Sequence, residues 1–247
     1  MNRLIAFLFL MIPLITLSGC NHESPTDTVC LLDVSKSITA EGVQTEFREV
    51  DGFVDHMHRG DRLVLIPITG NTIGETPGHM LSFTAPTHRE PYDHDIIRFQ
   101  KQAHEHIKAV EDYFTAYPSD STDILGALDV AEQEFGNDFA DASTLRAKNR
   151  TLYIFSDFLE DDGTYRFATD KTLLSAQGRA ELSRQLQRER SLSFINAASV
   201  YLVWIESTDQ KHLRSERQWA IQAFWSAYLA PCHPRWTTVD VSSAAMM

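Results

Sequence analysis

Four short apolar runs punctuate the chain: Val29-Cys30-Leu31-Leu32, Leu63-Val64-Leu65-Ile66, Leu152-Tyr153-Ile154-Phe155 and Val200-Tyr201-Leu202-Val203. None alternates with polar residues, so each predicts a strand buried on both faces of a sheet. Between them, polar residues interrupt apolar ones at helical spacing over about 40–57, 94–115, 122–136, 172–190 and 211–229. In the last of these, Trp219, Ala223, Phe224, Ala227 and Tyr228 make one apolar face. Met80-Leu81-Ser82-Phe83 predicts a short edge strand, and Trp236-Thr237-Thr238-Val239 a final one. Alternation of this kind predicts an α/β fold, a mainly parallel central sheet with helices on both faces. In such sheets ligands sit outside the carboxyl ends of the strands.

The first nineteen residues have a different pattern. Arg3 precedes the nearly unbroken apolar stretch Leu4–Leu17, and then comes Leu17-Ser18-Gly19-Cys20. As a helix that stretch rises roughly 21 Å, short of a hydrocarbon core of ~30 Å, which favours a secretion signal over a retained span. Leu17-Ser18-Gly19-Cys20 resembles the bacterial lipobox. The resemblance implies a signal peptide over 1–19, acylation of Cys20 and a stable lipid anchor in the cell envelope, since several acyl chains hold where one does not. Asn21 in place of Asp implies the periplasmic face of the outer membrane in a Gram-negative host. The remaining chain divides into a polar tether over 20–28, one domain over 29–241 and a tail over 242–247.

Length and composition fit that division: 247 residues, 43% hydrophobic and 23% charged, suit one packed domain rather than a disordered chain. A net charge of −12 opposes a phosphate backbone, so a nucleic-acid partner is not expected. Cys30 and Cys232 form an even pair in an exported chain, which reads either as one disulfide joining the domain's start to its end or as two buried thiols.

The candidate chemistry lies at the strand ends. Asp33-Val34-Ser35-Lys36-Ser37 leaves the first apolar run, and Ser156-Asp157 leaves the third. Between them Thr122 opens a predicted helix in Ser121-Thr122-Asp123-Ile124-Leu125-Gly126-Ala127-Leu128. Carboxylates and hydroxyls together suit a hard divalent cation. Asp33-x-Ser35-x-Ser37, then Thr122, then Asp157, in that order and at those element ends, is similar to the von Willebrand factor A domain with its metal-ion-dependent adhesion site. The resemblance spans about residues 28–241. It implies a Rossmann-like fold and Mg²⁺ or Mn²⁺ held by Ser35 and Ser37, with Thr122, Asp33 and Asp157 acting directly or through water. It also implies a protein partner whose own carboxylate completes the coordination.

Two departures stand beside this match. Asp157 is followed by Phe158 where glycine is often found, and Glu160-Asp161-Asp162 then either crowds the metal face or forms a solvated loop. The segment from 70 to 120 is also long. Hydrolase, phosphate-loop and dinucleotide motifs are absent from the sequence, so no nucleotide and no catalysis is expected. An accessory subunit docking through another surface, and a metal-dependent hydrolase, are the rival readings. His104-Glu105-His106 and His56-Met57-His58 fall in predicted helices, where alternate residues diverge, and read as solvated histidines. Arg179, Arg184, Arg188 and Arg190 read as the wet face of a helix whose Leu182 and Leu186 pack inward.

Overall fold

The computed structural model describes residues 25–88, 90–140 and 149–237. The lipobox, Cys20, the tail and the domain's last residues, 238–241, lie outside the described residues. A six-stranded sheet in the order β3-β2-β1-β4-β5-β6 runs through the centre. Its strands are β1 (Thr26–Asp33), β2 (Arg62–Ile68), β3 (Leu81–Thr84), β4 (Asn149–Ser156), β5 (Ser199–Trp204) and β6 (Arg235–Thr237). All neighbours pair in parallel except β3, which runs antiparallel along β2. β1 starts at Thr26, three residues inside the stretch read from sequence as tether.

Because side chains alternate along a strand, each apolar run supplies both faces at once. Val29, Leu31, Val64, Ile66, Leu152, Ile154, Val200 and Leu202 pack on one side against α4 (Ile124–Ala140), α5 (Ala176–Glu189) and α7 (Ser215–Tyr228). Cys30, Leu32, Leu63, Leu65, Tyr153, Phe155 and Val203 face α1 (Ala40–His56) and α3 (His94–Ala116) on the other. The expected layering is therefore present. No helix of the described residues is long and apolar enough to cross a membrane.

The layering decides between the two readings of the cysteines. Cys30 belongs to the core beneath α1 and α3, while Cys232 belongs to the opposite core, where its thiol donates to Asn196 Oδ1 at 2.9 Å. Both are buried free thiols, with the sheet between them.

The structure adds one element and changes three local readings. The segment Thr72–His79 forms a helix, α2, capped by Asn71, which accepts from the Gly74 N–H at 3.3 Å. It forms although Gly74, Pro77 and Gly78 disfavour a helix, because buried Thr72 and Thr76 tie it down. In α7 the buried face is Ala220, Ile221, Phe224, Trp225 and Tyr228, one step round from the expected one, and Trp219 is exposed with the Arg179 guanidinium 4.7 Å above its ring. The arginines of α5 do not form one wet stripe: Arg179 is buried and donates to the Leu173 carbonyl at 2.7 Å, and Arg190 beyond the helix pairs with Asp129. The helix expected over 211–229 is not continuous: a one-turn helix, α6 (Thr208–Lys211), ends where it was to begin, and α7 starts at Ser215.

Candidate metal centre

The sheet order reverses between β1 and β4, since β1 is followed on one side by β2 and on the other by β4. Outside the carboxyl ends at such a reversal the connecting chains diverge to opposite faces and leave a crevice. Asp33 ends β1 and Asp157 directly follows Ser156, the last residue of β4, so the two carboxylates meet there although 124 positions of sequence separate them.

Asp33 is wholly buried and organises its own loop: Oδ1 accepts from the Ser35 N–H at 3.1 Å, and Oδ2 accepts from the Ser156 hydroxyl at 2.6 Å. The loop that follows turns the Ser35 and Ser37 hydroxyls toward each other, 3.0 Å apart, and Ser37 donates to Asp157 Oδ2 at 3.2 Å. Asp157 Oδ1 accepts from the Leu159 N–H at 2.9 Å. Backbone bonds hold the loop on both flanks. Lys36 N–H donates to Ser119 O at 2.8 Å and Ser119 N–H to Val34 O at 2.9 Å; on the other side Thr208 N–H donates to Ser37 O at 2.9 Å.

Thr122 arrives from the chain before α4. It exchanges two backbone bonds with Asp161, of 3.2 and 2.8 Å, and lines with Ser35 and Ser37 a cleft of about 360 Å³. The loop after β2 packs tightly beneath it. A Cβ at Gly70 would stand 2.0 Å from Ser121 Oγ, so the close approach depends on a residue without a side chain. All five residues singled out from the sequence are thus brought to one end of the β1/β4 seam.

The electrostatics of this pair are unusual. Burial raises the Asp33 carboxyl, against hydrogen bonds from Ser156 and Ser35 that pull it back. Burial, and then the neighbouring Asp33, push Asp157 up to about 7. Among the described residues neither has a cationic partner. Buried carboxylates without a counter-charge call either for protons or for a cation. An oxygen-only donor set of two carboxylates and three hydroxyls fits Mg²⁺ or Mn²⁺.

Three neighbouring features were not legible from the sequence. Glu46, on α1, is fully buried, neither carboxylate oxygen has a hydrogen-bond partner, and burial followed by Asp33 and Asp157 raises it well above the ordinary range. At helical spacing it read as one polar position among several. Phe158 stands at φ 62, a conformation that bulky residues avoid. Its ring, wholly buried, meets Trp236 at 4.9 Å and Trp225 at 6.1 Å edge-on, while Trp225 Nε1 donates to Phe158 O at 3.0 Å. The one signal was the missing glycine after Asp157. Glu160 is buried rather than solvated, its Oε2 accepting from the Ile124 and Leu125 N–H groups at 3.0 and 3.3 Å.

His56 Nδ1 bonds to Gly52 O at 2.6 Å, and His104 bridges Asp51 and Asp55 of α1 at 2.8 and 3.0 Å, a tie between helices rather than a solvated ring.

No protein-family model and no curated protein matches the chain. Among solved structures it is similar to the manganese-loaded TRAP protein of Plasmodium vivax, at 12% identity and a TM-score of 0.44, over 90% of this chain and 71% of that one.

Proposed function

We propose that the chain is a lipid-anchored envelope protein whose single α/β domain binds Mg²⁺ or Mn²⁺ and, through it, a partner protein. The observation that carries this reading is the seam itself: two buried carboxylates without a counter-charge beneath hydroxyls that converge to 3.0 Å at the floor of an open cleft. A bound cation would neutralise the aspartates and offer one open position to an outside carboxylate.

In this reading Ser35, Ser37 and Thr122 supply neutral oxygens. Asp33 fixes the Ser35 backbone and Asp157 accepts from the Ser37 hydroxyl, so both act from below and leave the cation electron-poor toward the cleft. Lys36 and Arg166 on the rim, paired with Asp120 and Asp161 respectively, temper the acidity that an approaching carboxylate meets. The lipobox motif supports the anchor, and the absence of hydrolase, phosphate-loop and dinucleotide motifs from the sequence supports binding rather than turnover.

Calorimetric titration of the purified chain with Mn²⁺ tests the site beside Asp33→Ala. One saturable event, lost in the folded variant, is expected, and partner capture should fail in chelator. Capture that persists in chelator with the protein still folded would move the interaction to another surface.

A further inference from the structure

The Thr122–Asp161 pairing has a second side. In extended antiparallel pairing successive side chains alternate between faces. The residues flanking this bridge, Asp123 on one segment and Glu160 and Asp162 on the other, therefore share the side away from Thr122. Carboxylate oxygens of the three lie within 4.8 Å of one another.

Clustered acids on a surface loop are common and mean little, but this cluster contains a buried orphan. Glu160 is wholly enclosed; Oε2 is used by the two N–H groups that open α4, and Oε1 has no hydrogen-bond partner. Its companions are fixed by backbone donors. Asp123 Oδ1 accepts from Gly126 N–H at 2.6 Å, and Asp162 Oδ1 accepts from the Thr164 and Tyr165 N–H groups, both at 2.7 Å. Gly126 makes room for Asp123, since a Cβ there would stand 2.1 Å from Oδ2. The cation that most relieves Asp123, Arg190, is committed to Asp129. Among the described residues the three pre-set carboxylates, one of them enclosed with a free oxygen, have no cation paired to them.

We propose that Asp123, Glu160 and Asp162 form a second metal site, selective for Ca²⁺. The donors are all hard oxygens held on loops, and Ca²⁺ accepts roughly six to eight such oxygens in a flexible geometry, carboxylates binding through one or both oxygens, whereas Mg²⁺ demands a near-ideal octahedron at about 2.1 Å. The positive end of α4 opposes the cation and already engages one Glu160 oxygen. The expected dissociation constant is therefore moderate, roughly 10⁻⁵ to 10⁻³ M. Because Thr122 and Asp123 are adjacent, occupancy would clamp the bridge that carries Thr122 into the first site, and the two sites would bind cooperatively.

The test is a Ca²⁺ titration by calorimetry of the chelator-stripped chain carrying Asp33→Ala, which removes the first site. One saturable Ca²⁺ per chain is expected, weakened at least tenfold by adding Asp162→Asn or Glu160→Gln; both replacements keep an acceptor for the backbone donors. Asp162→Asn alone should keep the Mn²⁺ event at Asp33. If Asp33→Ala does not fold, wild type saturated with Mg²⁺ takes its place. Absence of saturable Ca²⁺ binding by the folded protein, or binding that both replacements leave unchanged, overturns the proposal. Persistence of the Mn²⁺ event in Asp33→Ala would instead overturn the first site, and the Ca²⁺ result would still be read from Asp162→Asn.

Discussion

Replacing Asp157 by Asn separates the fold's interest from that of the metal centre. In the metal-free protein the Asp157 carboxyl is moved from an ordinary 3.8 to about 7, by burial first and Asp33 second. At 1.36 kcal/mol per pH unit, its ionised form burdens the folded state by about 4 kcal/mol. The sign follows from proton binding. Between pH ~4 and ~7 the folded state holds the proton more tightly than the unfolded state, so stability falls as pH rises through that window and the full burden is present above it. Asparagine keeps an acceptor for the Leu159 N–H and can donate to the Ser37 hydroxyl, so little else is lost. Urea unfolding in chelator should therefore find Asp157→Asn more stable than wild type by ~2–4 kcal/mol near pH 8, with the gap closing near pH 4. With Mn²⁺ at about a hundred times its dissociation constant, wild type should gain about 2.7 kcal/mol that the variant does not. A gap that is absent at pH 8, or equal at both pH values, would refute the burial argument.

Phe158 gives a test of strain: Phe158→Ala should destabilise by about 3–5 kcal/mol through the lost ring, whereas Phe158→Gly should recover ~1–2 kcal/mol of that because glycine tolerates φ 62. Parallel melts that rank Ala at or above Gly would show that the conformation is not strained. At His104, burial pulls the ring's pKa down but Asp51 and Asp55 together raise it above its ordinary 6.5. The stabilising tie to α1 is then complete below pH ~6.5 and fades as pH rises through the folded value, and His104→Gln should flatten that slope in a pH series of melts. Cys30 and Cys232 should give an unchanged melting temperature with and without reductant. Their thiols, raised by burial, that of Cys232 to about 11, should react with a thiol reagent only on unfolding.

Much of this protein is legible in its sequence because the physical signals are local. Runs such as Val29–Leu32 and Leu152–Phe155 are apolar at every position, which only a strand buried on both faces tolerates, and the intervening helical periods supply the layers above and below. The hydroxyls and carboxylates of the first site were also visible, since Asp33, Ser35, Ser37, Thr122 and Asp157 all sit at element ends. What sequence could not decide is what lies across a gap in the chain. Strand parity turns Cys30 to one face of the sheet and the turn after α7 brings Cys232 to the other, a choice between the two readings that their even number alone left open. α2 forms through Thr72 and Thr76 despite its breakers, because tertiary burial outweighs propensity. Above all, the charge state of the site is a tertiary property. Asp33, Asp157, Glu46 and Glu160 are ordinary acids along the chain, and only enclosure without a counter-ion turns them into groups that require a proton or a metal.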